Sequence, residues 1–346
     1  MPETTPPSRS GRWPIFVVVA VIVVSVAWSG GWVYLRSQVA ARMDVEIATL
    51  KQARGVAVTC PDRGIGGWPF RIDIDCRAPS IEIAEPAAHV SAGALRVAAL
   101  VYQPDRIVLE ADGPLAADGP RGETVKANWQ LLQASIGLNG FRPERISVAA
   151  DALSASLAPA NAAESRLTAD HAEIHFRPAA DAAPGSTDYD VFARLDALAL
   201  FQADKPLGPA GSNLTVAAVA RHVPVSLRSG AAPAKAWADD GGTLDVRSAH
   251  WSIGGFAIEG AGTLSPDADG QLNGTIRLVA TGLETGLLAG NSLKGRAELM
   301  AVASAFLLLG KPSTTASGRG RALDVVIDKG TVKVGSTTLG HLPRLF

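Results

Sequence analysis

Ile15 to Leu35 is an almost unbroken apolar run without an ionisable side chain, and from Val56 onward the chain changes to a period-two alternation of apolar and polar residues. At a rise of about 1.5 Å per residue the run is long enough to cross a hydrocarbon core of about 30 Å. Trp13, Trp28, Trp32 and Tyr34 lie where aromatic belts form at a membrane surface. A cleavable signal peptide is the competing reading, since Ser25-Val26-Ala27 resembles a processing site. The run continues through Trp32 to Leu35, where a cleaved signal would turn polar, so the pattern predicts an anchor.

Behind the run, Val39, Met43, Ile47 and Leu50 recur at spacings of four, four and three, one face of a helix that continues the anchor as a stalk over Arg36 to Arg54. Gly55 is its stop signal.

Alternation dominates the rest. In Phe256 to Leu264 one face carries Phe256, Ile258, Gly260, Gly262 and Leu264, while Glu259 and Thr263 point the other way. Leu272, Gly274, Ile276, Leu278 and Ala280 repeat the pattern after the turn Ser265 to Gly270, which predicts an antiparallel hairpin with one apolar face. Further strand pairs flank Gln103-Pro104-Asp105 and Asp328-Lys329-Gly330. Other strands are predicted at Ile81 to Ala84, Lys126 to Leu138, Arg145 to Leu157, Leu167 to Phe176, Tyr189 to Phe201, Leu214 to Leu227 and Thr243 to Ile253. Pro178 to Ser186, Lys205 to Ser212 and Ser229 to Gly242 read as loops. Two helices are predicted near the end, Leu283 to Ala289 and Leu293 to Leu309. The apolar stretch from Leu299 to Leu309 is too short to span a bilayer and is expected to plug the open face of the sheet.

The fold class that follows is mainly β: a long curved antiparallel meander sheet with an N-terminal transmembrane helix and one or two helices near the C-terminus. Residues 1–14 form an arm, 15–35 the anchor, 36–54 the stalk and 55–346 the β-rich domain. Arg9 and Arg12 on the arm favour a cytoplasmic N-terminus, although Arg36 and Arg42 at the other end leave the charge difference small.

The chain has two cysteines, Cys60 and Cys76. Val56 to Cys60 and Phe70 to Cys76 read as the strands of a hairpin joined by a glycine-rich turn, which would bring the two together as a disulfide. That pairing needs an oxidising compartment, the periplasm, and so agrees with a cytoplasmic N-terminus in the inner membrane. A zinc site finds no second pair of ligands. Composition argues against nucleic acid as a partner: Lys+Arg 32 against Asp+Glu 33 gives a net charge of -1, and no basic stripe is interleaved with aromatics.

Gly66-Gly67-Trp68-Pro69-Phe70-Arg71-Ile72, the hairpins around Gly260 and Gly274, and the closing segment from Gly335 to Phe346 carry a resemblance. The chain resembles an uncharacterised family of anchored proteobacterial envelope proteins, a domain of unknown function with this Gly-Trp-Pro-Phe motif, which is distantly similar to AsmA-like proteins. The resemblance implies an address and a sheet architecture. Through AsmA-like relatives it implies outer-envelope or lipid-transport roles in which a curved sheet shields acyl chains, although one sheet of this length would not reach across the periplasm.

Catalytic chemistry is sparse. His171, Glu173 and His175 would share one strand face and could bind zinc, but an exposed polar face opposite Ala172, Ile174 and Phe176 explains the same pattern. Gly310-Lys311 fails as a phosphate loop because Ala305 and Pro312 occupy required positions. Neither a nucleophile elbow nor a His-Glu-x-x-His motif occurs. Asp73, Asp75, Asp239 and Asp240 read as solvated faces. Trp68, Pro69 and Phe70 are expected to anchor the first strands as an aromatic lid.

No enzyme activity, metal or cofactor is expected. The inward face at Phe256, Ile258, Gly260, Gly262, Leu272, Gly274, Ile276 and Leu278 is a candidate apolar groove for phospholipid. The alternative is an envelope scaffold whose sheet edges recruit another envelope protein. Gly274→Trp is expected to narrow such a groove without unfolding the sheet.

Overall fold

The computed structural model describes residues 13–140, 142–182, 186–207, 210–224, 233–283, 302–315 and 318–346. It opens with one α-helix, α1 (Trp13–Arg54), which runs unbroken through 42 residues. Val39, Met43, Ile47 and Leu50 are half-buried on a mostly exposed helix, as their spacing predicts. Gly55 ends the helix in the left-handed region at φ 64°, and its N–H donates to the Lys51 carbonyl at 3.2 Å. Arg63 pairs with Asp44 at 2.8 Å and ties the stalk to the domain.

The first half of the sheet comprises β1 (Val56–Thr59), β2 (Gly64–Gly66), β3 (Arg71–Cys76), β4 (Ser80–Ile83), β5 (Ala88–Ser91) and β6 (Leu95–Leu100). It continues with β7 (Gln103–Ala111), β8 (Leu115–Asp118), β9 (Thr124–Asn128), β10 (Leu131–Asn139) and β11 (Arg142–Ala158). After these come β12 (Ser165–Pro178), β13 (Tyr189–Gln202), β14 (Lys205–Pro206), β15 (Ser212–Arg221), helix α2 (Pro233–Asp239), β16 (Thr243–Ile253), β17 (Phe256–Pro266) and β18 (Leu272–Thr281). Helix α3 is described over 302–309 and is followed by β19 (Lys311–Thr315), β20 (Gly318–Asp328), β21 (Thr331–Val334) and β22 (Thr337–His341). All pair antiparallel in one sheet.

From β11 to β22 the sheet is close to the predicted meander. Before β11 it forks. One edge of β11 pairs with β12, and the opposite edge is shared, with β10 along residues 142–151 and β9 along 154–158. One arm then runs β10–β7–β6–β3–β2 and the other β9–β8–β5–β4–β1. The fork lies at a crease: Ala152 in β11 and Ala197 in β13 both take positive φ, 50° and 52°. A left-handed residue turns an extended strand out of its line, and here it moves the last residues of β11 onto a new partner.

The cysteine hairpin is a correction. β1 pairs with β4 and β3 with β6, while the glycine-rich segment forms β2 and takes the free edge of β3 through Ile65 opposite Ile74. Cys60 and Cys76 are nevertheless bonded, with Cα atoms 5.4 Å apart. Cys76 ends β3 and Cys60 follows β1, so the disulfide joins the tips of the two arms and suits an oxidising compartment. Closing a segment of separation 16 restricts the unfolded chain by an amount worth about 3 kcal/mol. The Cys60→Ser, Cys76→Ser protein is expected to lose about that much in denaturant unfolding. Intact protein unfolded without reductant should take up no thiol label, and labelling of both cysteines would contradict the bridge.

Other differences are local. Lys126 to Leu138 is two strands, because the Trp129 indole N–H donates to the Ala111 carbonyl at 2.7 Å and holds a break between β9 and β10. Gln103 already belongs to β7, so the preceding turn is Val101-Tyr102. β15 stops at Arg221, before His222 at φ 56°, rather than running to Leu227. Helix α2 occupies part of the predicted loop at Ser229 to Gly242, with the Trp237 indole N–H on the Arg221 carbonyl at 2.7 Å. Apart from Leu283, the helix predicted at Leu283 to Ala289 lies outside the described residues, as do residues 293–301 of the second.

Candidate functional site

Side chains directly opposite one another in antiparallel strands share a face, so the register of each pair builds the two faces of this sheet. Ile72 lies opposite Ala99, Ala99 opposite Ile107, Ile107 opposite Ile136 and Ile136 opposite Ile146. The row continues through Phe176, Val191, Ala218, Val246 and Gly262 to Ile276, Val325 and Val334. A second row starts at Ile74 and Val97, passes Leu109, Ala134, Val148 and Ile174, and ends at Leu278 and Leu323. A third runs from Cys76 and Leu95 through Leu132, Leu195, Leu214 and Trp251 to Ile258 and Ala280. Every position in these rows is apolar or glycine. At about 4.8 Å between strands, the thirteen strands from β3 to β21 carry an apolar lane about 58 Å long.

Most of this lane is lining rather than core. Val97, Ile107, Leu109, Ala134, Ile136, Val148, Ile174 and Val216 are only half-buried. The accessible surface, 21695 Å², far exceeds the roughly 13,000 Å² of a compact globule of this mass. The exposed helix α1 accounts for part of the excess.

The far end of the lane is closed. Ala303 and Phe306 of α3 join Phe256, Ala280 and Leu323 in one buried cluster, which Ile253 and Leu283 complete. The described part of the predicted plug, residues 302–309, therefore covers this end of the lane; residues 299–301 of it lie outside the described residues. The residues singled out for a groove lie on the same face, since Gly262 opposes Ile276, Gly260 opposes Leu278 and Pro266 opposes Leu272. Phe256 is sealed beneath α3, whereas Gly262 and Ile276 lie further along the lane.

Gly274 corrects the expectation attached to it. Its φ is 145°, and a Cβ there would collide with the Thr263 carbonyl oxygen of β17. Gly262 is equally constrained against the Thr275 carbonyl. These glycines let the two backbones approach, so a tryptophan at Gly274 disrupts the sheet instead of filling space above it.

The opposite face is polar. Arg96 reaches Glu110 and Asp112 at 3.1 and 3.3 Å, Arg177 reaches Asp190 at 3.2 Å, and Arg221 bonds Asp188 and Asp245. The Arg221 guanidinium holds the Asp245 carboxyl below its ordinary range. His171, Glu173 and His175 lie on this face. His171 Nδ1 is 2.6 Å from Asp151, and His175 Nε2 is 3.2 Å from Glu173. The hydrogen bond to Asp151 raises the His171 pKa above 6.5. The first contact ties β12 to β11 and the second lies within β12, and the described residues contain no group of three or more His, Cys, Asp or Glu side chains poised to hold a metal. Asp73 is paired with Arg71 at 2.7 Å, and Asp239 with Lys235 at 3.1 Å.

Trp68 and Phe70 do not fold under the first strands as a lid; they are 59% and 54% exposed. Their backbone grips α1 instead. The Trp28 indole N–H donates to the Pro69 carbonyl and the Trp32 indole N–H to the Arg71 carbonyl, both at 2.9 Å, and the Trp28 ring lies 5.9 Å from that of Phe70. The first strand of the lane, β3, therefore starts against the apolar part of α1. That helix has the length and composition of a single-pass anchor.

Residues 32–343 match the model of a family described as an uncharacterized protein conserved in bacteria (DUF2125). Neither the curated proteins nor the solved structures contain a match.

Proposed function

The chain belongs to this uncharacterised bacterial family, and we propose that it is an inner-membrane-anchored envelope protein that holds lipid or a similarly apolar ligand on the lane. In this reading the N-terminal arm is cytoplasmic, α1 crosses the membrane once and the sheet stands in the periplasm, where Cys60 and Cys76 oxidise. The protein acts by shielding acyl chains from water, not by catalysis. The resemblance to AsmA-like proteins points the same way.

The observation that carries the reading is the three uninterrupted apolar rows, which begin beside α1 and end under α3. Apolar surface costs about 25 cal/mol per Å² to leave in water, so a lane this long calls for a cover. A blind end under α3 suits holding or handing over a lipid better than conducting it through. Full-length protein extracted in mild detergent is expected to carry phospholipid, detectable by mass spectrometry. Ala193→Trp, which fills the middle of the lane from a position that already bears a Cβ, should lower the lipid-to-protein ratio and leave the unfolding midpoint close to wild type. Equal occupancy in the two proteins would count against the lane.

A scaffold reading draws on one feature. Among the described residues strand β22 pairs with β21 alone, and Thr337–His341 is exposed along its length, an edge onto which a partner strand could be added.

A further inference from the structure

Outside α1, the large aromatic side chains more than one-third exposed among the described residues are Trp68, Phe70, Tyr102 and Phe346. Three of the four meet at one corner. Tyr102, 70% exposed, sits on the β6–β7 turn beside Val101, whose N–H donates to the Phe70 carbonyl at 2.9 Å. Val101 also lines an apolar cleft against Val24, Ala27, Trp28 and Gly31 of α1. The motif, the turn and the helix are thus one hydrogen-bonded assembly.

The helix fixes the height of this corner. Trp13 to Trp32 spans about 30 Å at 1.5 Å per residue, one hydrocarbon thickness. A bilayer surface at Trp13 places the other surface at Trp28 to Trp32, the residues whose indoles hold the Pro69 and Arg71 carbonyls. Aromatic rings that are apolar in body and polar at the rim favour this boundary.

We propose that Trp68, Phe70 and Tyr102 form an aromatic foot that dips into the bilayer leaflet facing the domain and sets the mouth of the lane on the lipid surface. The proposal rests on α1 spanning the membrane and deepens the lipid reading by naming the source: lipid enters from the leaflet beneath the sheet and not from a soluble carrier. Ile72 and Ile74, which open the first two rows, follow Phe70 by two and four residues, so an acyl chain leaving the leaflet meets the lane at once.

The test uses the full chain in phosphatidylcholine vesicles, prepared without reductant so that the disulfide stays intact. An environment-sensitive fluorophore is attached through Tyr102→Cys, and a reference fluorophore through Ala268→Cys on the exposed turn between β17 and β18. The fluorophore at 102 is expected to be blue-shifted, quenched by headgroup-level nitroxide lipid and shielded from aqueous iodide, with the reverse pattern at 268. Iodide quenching at 102 equal to that at 268 would overturn the foot. So would shielding from both quenchers, which would assign this corner to a second copy or another protein. Lipid retained by the same variant after extraction in mild detergent separates the two ideas, since bound lipid with a water-exposed residue 102 sinks the foot and leaves the lane standing.

Discussion

Val325→Asp is expected to destabilise the protein by about 3 kcal/mol or more, while Val326→Asp next to it changes stability by only about 0.5 kcal/mol. Val325 is 7% exposed in the first apolar row, between Ile276 and Val334, where a carboxylate finds no partner. Val326 is 44% exposed on the polar face, opposite Thr275 and Lys333. Two valines one residue apart thus test the register directly, because a shift by one position exchanges their roles. Denaturant unfolding with equal midpoints for the two variants would refute the assignment of faces.

Gly274→Ala is expected to cost about 3 kcal/mol, combining backbone strain at φ 145° with the collision at the Thr263 carbonyl. Gly260→Ala in the neighbouring strand should cost about 1 kcal/mol, since the added carbon meets the movable end of the Leu278 side chain, 2.8 Å away before it yields. Thermal unfolding of the pair reads the difference. Similar losses would mean that strand approach at Gly274 is looser than described.

Alternation made the strands and the inward face of the Gly260 hairpin legible in the sequence, since Ile258, Gly260 and Gly262 meet Ala280, Leu278 and Ile276 in the register their spacing implies. The apolar run and its stalk were equally legible, because a continuous helix needs only local pattern. What could not be read was which strands pair across distance. Ile107, Ile136 and Phe176 each sit in an ordinary alternating strand, and nothing local says that they line up with Ile276. The fork at β11 was hidden for a similar reason, since an alanine at φ 50° in position 152 carries no signal of the kind a glycine would. The disulfide was foreseen from the right residues through the wrong hairpin, as β2 took the edge that β1 was expected to fill. The exposure of the aromatic motif was not legible either: apolar side chains in a short loop read as buried, and nothing local says that the Pro69 carbonyl and the Phe70 ring meet Trp28, some forty residues earlier in α1.

The central claim is that the lane carries acyl chains, and the most direct measurement is photocrosslinking with a phospholipid bearing a diazirine in its acyl chain. Full-length protein reconstituted with this lipid and irradiated is digested, and the adducts are mapped by mass spectrometry. The account predicts adducts on the apolar rows well beyond the membrane, at positions such as Ile107, Ile136, Ile174 and Val216, and few on the polar face at Ser147, Thr215 or Arg277. Adducts confined to α1 and the aromatic corner, or spread equally over both faces of the sheet, would contradict it.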